Sequence, residues 1–240
     1  DLKTIELKGV SVIRNSDYIL DNIQIKIEKG QKVGIIGSSG SGKSTLLKVV
    51  AGILQAQTGN ILLNGTRLPN HDGLTHRDLL YLAQDTDIFS ATICENITLY
   101  KNIPDDDVEK AIYKAGLTTW FKRLGSNLHV AFDKSSINLS GGELKRVDFA
   151  RSLLEKAAII LFDEPTAGLD KFYARSIMGQ ICAMEDRIIV VATHDLDEEN
   201  IYRFDYVYIL ENGKIVAHDC PENIVKSPAF LSLRQGENEK

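Results

Sequence analysis

A short segment rich in glycine and serine has the residue types and spacing to bind phosphate groups. Residues 37–45 fit the pattern G-x-x-x-x-G-K-[ST]. Glycines let the backbone N–H groups of such a loop approach a phosphate closely, and the helix that follows adds positive potential at its N-terminus. The lysine supplies a cation for the β and γ phosphates, and the hydroxyl after it supplies a Mg²⁺ ligand. The predicted phosphate-binding residues are Gly37, Ser38, Ser39, Gly40, Ser41, Gly42, Lys43, Ser44 and Thr45, with Ser44 also on the metal.

Two adjacent carboxylates, Asp163 and Glu164, follow an apolar run at 159–162. In doubly wound folds the C-terminal edge of the sheet lies beside the phosphate-binding loop. Asp163 could hold Mg²⁺ there, directly or through water, and Glu164 could act as the general base that polarises an attacking water. An acidic turn after a core strand has the same pattern, so these two residues alone leave both interpretations open.

The segment Leu139-Ser140-Gly141-Gly142-Glu143 begins a predicted helix that runs to about Glu155. Ser140 with Glu143 three residues later has the pattern of a capping box, which is a sufficient structural reason for both residues. A capping box does not require two glycines, however, and glycines beside the cap leave backbone N–H groups open at a helix N-terminus. The segment therefore indicates a second phosphate-binding site.

The elements that must position these residues indicate an α/β core with a helical insertion. Predicted strands lie at 4–7, 23–27, 32–36, 158–162 and 187–193, and predicted helices lie at 43–54, 105–115 and 171–184. Fully apolar strands that alternate with helices are typical of a parallel sheet covered on both faces. Asp105, Asp106 and Asp107 are predicted to cap their helix, and Asn64-Gly65 and Asn212-Gly213 are predicted hairpin turns.

Taken together, these motifs resemble those of ABC (ATP-binding cassette) ATPases, with Leu139-Ser140-Gly141-Gly142-Glu143 in the place of the signature sequence. The resemblance covers nearly the whole chain, from about Ile5 to Glu222. Gln84 stands where the family has its Q-loop, Asp170 ends a D-loop-like Ala-Gly-Leu-Asp, and His194 matches the switch histidine.

The resemblance implies a role for each matched position. Gln84 would reach Mg²⁺ and the attacking water, Glu164 would be the catalytic base, and His194 would contact the γ-phosphate. Ser140, Gly141 and Gly142 would bind the γ-phosphate of ATP held by a second subunit, and Asp170 would contact that subunit's phosphate loop.

The resemblance also implies the fold and its organisation. We expect a P-loop NTPase core with a mostly parallel sheet and an N-terminal antiparallel β subdomain, formed by residues 1–84 and 157–240. An inserted helical subdomain that carries the signature is expected at 85–156.

Residues 88–97 resemble the stretch after the Q-loop in exporter-type cassettes, which are commonly fused behind a six-helix membrane domain. We therefore expect a cassette that works at the cytoplasmic face of the inner membrane with a transmembrane domain, as a homodimer or a heterodimer.

Two positions depart from the exporter pattern. Lys134 stands where exporters usually have an acidic residue in a segment that contacts the membrane domain. The adenine-stacking aromatic is not obvious, and Tyr18 is favoured over Arg14.

Charge and composition limit the alternatives. The net charge is −5 and no run of Lys or Arg occurs, so nucleic acid is not an expected partner. The three cysteines are scattered, which is typical of a reducing compartment, and no signal peptide is expected at the start of the chain. A soluble ABC protein of DNA repair or translation and a catalytically silent cassette remain as alternatives. The substrate stays open, since cysteine/glutathione, bacteriocin, peptide and lipid exporters all fit.

Overall fold

A computed structural model of the chain describes residues 2–67, 78–132 and 139–238. The strands are β1 (Thr4–Arg14), β2 (Asp17–Glu28), β3 (Lys32–Ile36), β4 (Thr58–Leu63), β5 (Thr66–Arg67), β6 (Leu79–Leu82), β7 (Ala91–Thr92), β8 (Ala131–Phe132), β9 (Ile159–Asp163), β10 (Ile188–Thr193), β11 (Tyr206–Glu211) and β12 (Lys214–Asp219). The helices are α1 (Lys43–Val50), α2 (Ile93–Thr98), α3 (Asp105–Lys114), α4 (Thr118–Arg123), α5 (Gly141–Leu154), α6 (Lys171–Cys182), α7 (Glu198–Ile201), α8 (Pro221–Ile224) and α9 (Pro228–Asn238).

The chain forms two compact units. The first unit holds Asp1–Tyr81, Ala157–Glu164 and Met178–Lys240, and the second holds Leu82–Lys156 and Pro165–Ile177. The insertion expected at 85–156 falls within the second unit. That unit also contains Pro165–Ile177, a segment expected in the core.

The larger sheet has six strands in the order β12-β11-β3-β10-β9-β6. β11, β3, β10 and β9 are parallel neighbours, whereas β12 pairs antiparallel with β11. β9 and β10 are wholly buried, and apart from Asp163 and Thr193 at their C-terminal ends their residues are apolar, as is typical of strands covered on both faces of the sheet. The predicted, mostly parallel core is thus confirmed. Ala192 on β10 pairs with Asp163 on β9, so the two strands end at the same edge of the sheet.

The N-terminal part of the first unit is an antiparallel sheet of four strands in the order β2-β1-β4-β5. Its inward apolar residues pack in one core cluster with residues of the larger sheet and of α1. The hairpin turns are formed as predicted. Asn64 and Gly65 have φ values of 49° and 78°, and Asn212 and Gly213 have φ values of 46° and 75°.

Two predicted helix ends are wrong in detail. α1 ends at Val50 and not near Leu54, because Gly52 takes a left-handed conformation with φ 71° and stops the helix. In α3 the N-cap residue is Pro104, which makes no side-chain cap bond. Asp105, Asp106 and Asp107 occupy the first turn instead, where carboxylates are favourable because of the helix dipole.

The second unit is mainly helical, and α5 packs against α2 and α3. Within the described ranges, no helix is long and apolar enough to cross a membrane. The departure from the exporter pattern at Lys134 lies outside the described residues.

Candidate functional site

The phosphate-binding loop predicted at 37–45 joins β3 to α1, in the first unit. All three glycines of the loop are required by its backbone geometry. Gly40 and Gly42 have φ values of 79° and 107°, which other residues rarely adopt. A Cβ atom on Gly37 would lie 2.2 Å from the carbonyl oxygen of Leu210. α1 begins directly after Gly42 without a side-chain cap, so its first N–H groups are left for another acceptor.

Lys43 is buried beneath this loop. Its Nζ donates to the carbonyl oxygens of Gly37 at 2.7 Å and Ser38 at 3.0 Å. The same atom lies 3.6 Å from Oε1 of Glu164. Ser38, Ser39 and Gly40 are exposed, whereas Ser44 and Thr45 are half-buried. The structure therefore places a buried cation under an exposed, glycine-rich loop tip.

Asp163 forms the second part of the site. It is only 2% exposed, and its Oδ1 accepts a hydrogen bond of 3.0 Å from the Ser44 hydroxyl. Its Oδ2 accepts a hydrogen bond of 3.0 Å from the hydroxyl of Tyr81. One hydroxyl and one carboxylate are oxygen donors of the kind that Mg²⁺ combines with substrate phosphates and water, so these residues fit that ion.

Glu164 and His194 form the third part of the site. Glu164 is 6% exposed and has a φ of 54°, an unfavourable conformation for a residue other than glycine. Its Oε2 lies 2.8 Å from Nδ1 of His194 and accepts a longer bond of 3.3 Å from the backbone N–H of His194. Strained residues of this kind persist where surrounding structure fixes them, and they occur frequently at active sites. Here the bond from the Glu164 N–H to the Ala192 carbonyl oxygen, 2.9 Å, fixes the backbone.

Sequence reasoning missed two residues that contact these groups. The sequence predicts no role for Tyr81, although its hydroxyl donates to Asp163. It predicts Gly213 only as a turn residue, yet the Gly213 N–H donates to the carbonyl oxygen of Ser41 at 3.0 Å, within the phosphate-binding loop. A Cβ on Gly213 would lie 2.5 Å from the carbonyl oxygen of Ile19. Neither contact has a local signal in the sequence, because the partners are far apart along the chain.

Tyr18 lies near the start of β2 and is 56% exposed. The neighbouring Ile19 passes close to the end of the loop, since a Cβ on Gly42 would lie 2.9 Å from its carbonyl oxygen. The exposed ring of Tyr18 is thus next in sequence to a residue that adjoins the phosphate-binding loop.

In the second unit, Ser140 caps α5 and forms the predicted capping box. Its hydroxyl accepts from the N–H of Glu143 at 3.1 Å, and the Glu143 carboxylate accepts from the N–H of Ser140 at 2.9 Å. Ser140 and Gly141 are exposed, and a Cβ on Gly141 would meet nothing within 4 Å. A Cβ on Gly142 would lie 3.0 Å from Cδ2 of Leu169. Gly142 therefore permits close packing, and Gly141 leaves the helix end open.

Asp170 and Gln84 also lie in the second unit. The Asp170 side chain is exposed and accepts from the N–H groups of Phe172 and Tyr173, at 3.0 and 3.1 Å, at the start of α6. The backbone carbonyl of Gln84 accepts a hydrogen bond from Lys145 on α5. Of the predicted residues, the loop, Asp163, Glu164 and His194 are brought together in the first unit, and Gln84, Ser140, Gly141, Gly142 and Asp170 belong to the second.

A polar stripe on α5, defined here as Lys145, Asp148 and Arg151, holds the segment that follows Gln84. The Asp148 carboxylate accepts from the Thr86 hydroxyl and, at 2.8 Å, from Arg151. Burial raises the pKa of Asp148, while Arg151 and Thr86 oppose this shift. Arg151 is 6% exposed and also donates to two backbone carbonyl oxygens, of Asp87 at 2.8 Å and Asn96 at 2.9 Å.

The fold and the loop with its buried lysine define a P-loop nucleotide-binding domain. The family model described as ABC transporter matches residues 20–167, which is more than half of the chain. The chain belongs to the ABC transporter family.

Individual relatives agree with this assignment. The chain is 33% identical over 218 residues to a probable ABC transporter ATP-binding/permease protein of Haemophilus influenzae, covering 90% of this chain and 39% of the relative. It is 34% identical over 220 residues to the glutathione/L-cysteine transport system ATP-binding/permease protein CydC of Bacillus subtilis, covering 90% and 37%. It is 32% identical over 241 residues to the alpha-hemolysin translocation ATP-binding protein HlyB of Escherichia coli, covering 94% and 33%.

The chain thus spans less than half the length of these relatives. A solved structure described as a bacterial Atm1-family ABC exporter with ATP bound matches with a TM-score of 0.86 at 24% identity. This match covers 99% of the present chain and 42% of that one, and it confirms the predicted fold.

Proposed function

We propose that this chain binds and hydrolyses ATP, and that hydrolysis powers export of a substrate through a transmembrane domain. The observation that carries the proposal is the buried group of Lys43, Asp163 and Glu164 at a loop of phosphate-binding geometry. The names of the relatives support the transport role, since they describe ATP-binding/permease and translocation proteins. The chain would act at the cytoplasmic face of the inner membrane.

The loop would bind the phosphates of ATP. Lys43 donates to the carbonyl oxygens of Gly37 and Ser38. When ATP binds, its phosphate oxygens would accept these hydrogen bonds in place of the two carbonyl oxygens. N–H groups of the loop and of the first turn of α1 would surround the β and γ phosphates. The exposed ring of Tyr18 would cover the adenine.

Ser44 and Asp163 would hold Mg²⁺ in the first unit. When bound, this ion neutralises charge on the β and γ phosphates. The existing hydrogen bond between Ser44 and Asp163 supports the assignment, because it already directs both oxygen donors to one point.

Glu164 would act as the general base and His194 would hold it in position. The water oxygen attacks the γ-phosphorus, its proton passes to the Glu164 carboxylate, and the bond from the γ-phosphorus to the bridging oxygen of ADP breaks. The contact of 2.8 Å between His194 Nδ1 and Glu164 Oε2 supports this division of roles, because it fixes one carboxylate oxygen.

A second cassette would complete the site, in a homodimer or a heterodimer. The open N-terminus of α5, at Ser140, Gly141 and Gly142, would bind the γ-phosphate of ATP held by that second subunit. Asp170 would contact the second subunit's phosphate loop. The exposure of Ser140, Gly141 and Asp170 supports these roles.

The test is ATP hydrolysis in the presence of Mg²⁺, measured as phosphate release. Glu164→Gln should retain ATP binding and lower turnover by about a hundredfold or more, the contribution typical of a general base. Glu185→Gln, at an exposed glutamate, is the matched control and should behave as the wild type. Normal turnover by Glu164→Gln would remove Glu164 from the mechanism, and absence of ATP binding by the wild type would overturn the proposed function.

A further inference from the structure

Tyr81 is the contact of Asp163 to which the proposed chemistry assigns no role. It lies on β6, next to β9 in the larger sheet, and β9 ends at Asp163. The Tyr81 ring packs against the core cluster, and its hydroxyl donates to Oδ2 of Asp163 at 3.0 Å. A tyrosine hydroxyl keeps its proton at neutral pH and a carboxylate can only accept, so Tyr81 is the donor of this bond.

The two oxygens of Asp163 have separate partners. Oδ1 accepts from Ser44 of the loop, and Oδ2 accepts from Tyr81 of the sheet. The terminal torsion of an aspartate side chain is broad, so a carboxylate bonded on one side only can rotate away from its best orientation. A second donor, held by a ring that packs on the core, restricts that rotation.

We propose that Tyr81 is a positioning residue for the metal site, which holds the Asp163 carboxylate so that Oδ1 faces Ser44. The proposal rests on the proposed role of Ser44 and Asp163 as the residues that hold Mg²⁺. Asp163 is only 2% exposed. Without the Tyr81 hydroxyl, Oδ2 of Asp163 is buried without a donor, and Oδ1 loses its fixed orientation. A tyrosine that only filled space in the core would affect stability and leave metal binding unchanged.

The test compares Tyr81→Phe with Tyr208→Phe, since each substitution removes only a hydroxyl. Tyr208 is a matched control because it is buried in the first unit and donates to the Lys26 carbonyl oxygen at 3.3 Å, outside the proposed metal site. ATP binding by the 240-residue chain is measured by calorimetry, first with a metal chelator and then at increasing Mg²⁺ concentrations.

Tyr81→Phe should raise the Mg²⁺ concentration that gives the half-maximal change in ATP binding about tenfold, which corresponds to about 1.4 kcal/mol. Its ATP affinity in the chelator should stay unchanged, and Tyr208→Phe should match the wild type in both measurements. If Tyr81→Phe and Tyr208→Phe show the same Mg²⁺ dependence of ATP binding, the proposal for Tyr81 is wrong.

Asp163→Asn separates this proposal from the function on which it rests. It should raise the Mg²⁺ requirement more than Tyr81→Phe does, and the double variant should equal Asp163→Asn, because Tyr81 acts through the carboxylate. If Asp163→Asn leaves the Mg²⁺ requirement unchanged, the proposed metal site fails. If Asp163→Asn raises it and the effect of Tyr81→Phe is merely additive, only the positioning role of Tyr81 fails.

Discussion

The two units of this chain present their candidate functional residues in opposite ways. In the first unit, Lys43, Asp163 and Glu164 are buried and contact one another or their immediate neighbours. In the second unit, Ser140 and Gly141 are exposed at the N-terminal end of α5, and a Cβ on Gly141 would meet nothing within 4 Å. The first unit therefore contains charged groups in fixed mutual positions, while the second unit has backbone N–H groups on an open surface. This is the division expected if ATP is bound by one copy and contacted by another.

The contrast extends along α5 itself. Its N-terminus is open, whereas its middle is fixed by the polar stripe of Lys145, Asp148 and Arg151 on the segment after Gln84. A helix that is fixed in its middle and open at its N-terminus can present that end to a ligand without being deformed.

The largest expected effect follows from removing the buried cation of the polar stripe. Arg151→Met should lower the free energy of unfolding by about 3–5 kcal/mol, since it leaves the carboxylate of Asp148 buried without its cation. Lys110→Met is the matched control, because Lys110 and Asp107 form a pair of the same spacing at the surface, and it should change stability little. Denaturant unfolding measures both. Equal losses in the two variants would show that the stripe does not anchor α5.

Asp148 adds a pH dependence to the same comparison. Burial raises its pKa above the ordinary 3.8, so the folded chain binds a proton at pH values where the unfolded chain has released it. The contribution of Asp148 to the free energy of unfolding therefore falls as the pH rises through this window. Asp148→Asn should remove this part of the pH dependence of the free energy of unfolding. The wild type and the variant are compared by denaturant unfolding at pH values from about 4 upward. An unchanged slope would contradict the assignment.

An intermediate effect is expected at the turn that supports the phosphate loop. Gly213→Ala should cost about 1–3 kcal/mol of stability and should also weaken ATP binding, because its Cβ would press on Ile19 and displace the bond to Ser41. Gly65→Ala is the matched control. Its φ of 78° is nearly the same as the 75° of Gly213, but a Cβ there would meet nothing within 4 Å. Equal ATP affinity in both variants would exclude a role of the turn in positioning the loop.

The smallest effect is expected at the open helix end. Ser140→Ala should lower stability by about 1 kcal/mol, the usual cost of losing an N-cap. Thr92→Ala removes the same kind of capping box from α2 and should cost a similar amount. Only Ser140→Ala should reduce ATP turnover, and ATP binding to the single copy should stay normal in both. Reduced turnover in both variants would indicate that Ser140 acts through helix stability alone.

Much of the first unit's site could be predicted because its signals are local. The glycines, Lys43 and Ser44 are consecutive or nearly so, and Asp163 and Glu164 directly end an apolar strand. The capping box of Ser140 and Glu143 is likewise a pattern of four residues. Gly52 offered a local signal for the end of α1, since glycine commonly follows a helix C-terminus, but the apolar residues beyond it favoured a longer helix.

The remaining contacts could not be predicted because they join residues that only the fold brings together. Tyr81 and Asp163 are 82 positions apart, and Arg151 binds the backbone of Asp87 across 64 positions. Tyr81 has the sequence context of an ordinary strand residue, and nothing near it marks a polar partner. The positive φ of Glu164 also has no sequence signal, because left-handed conformations are expected at glycine, asparagine or aspartate and not at glutamate.

Mixing two inactive variants tests most directly whether the site is shared between two copies. Ser140→Arg places a bulky cation at the open end of α5, and Lys43→Ala removes the cation of the phosphate loop. Each variant alone should lack turnover, and Ser140→Arg should still bind ATP. Each mixed dimer contains one site with an intact loop and an intact α5 end, so mixing should restore part of the activity, and wild-type turnover should rise more than linearly with protein concentration. Linear turnover without rescue on mixing would show that one copy contains the complete site, and it would contradict a site shared between two copies.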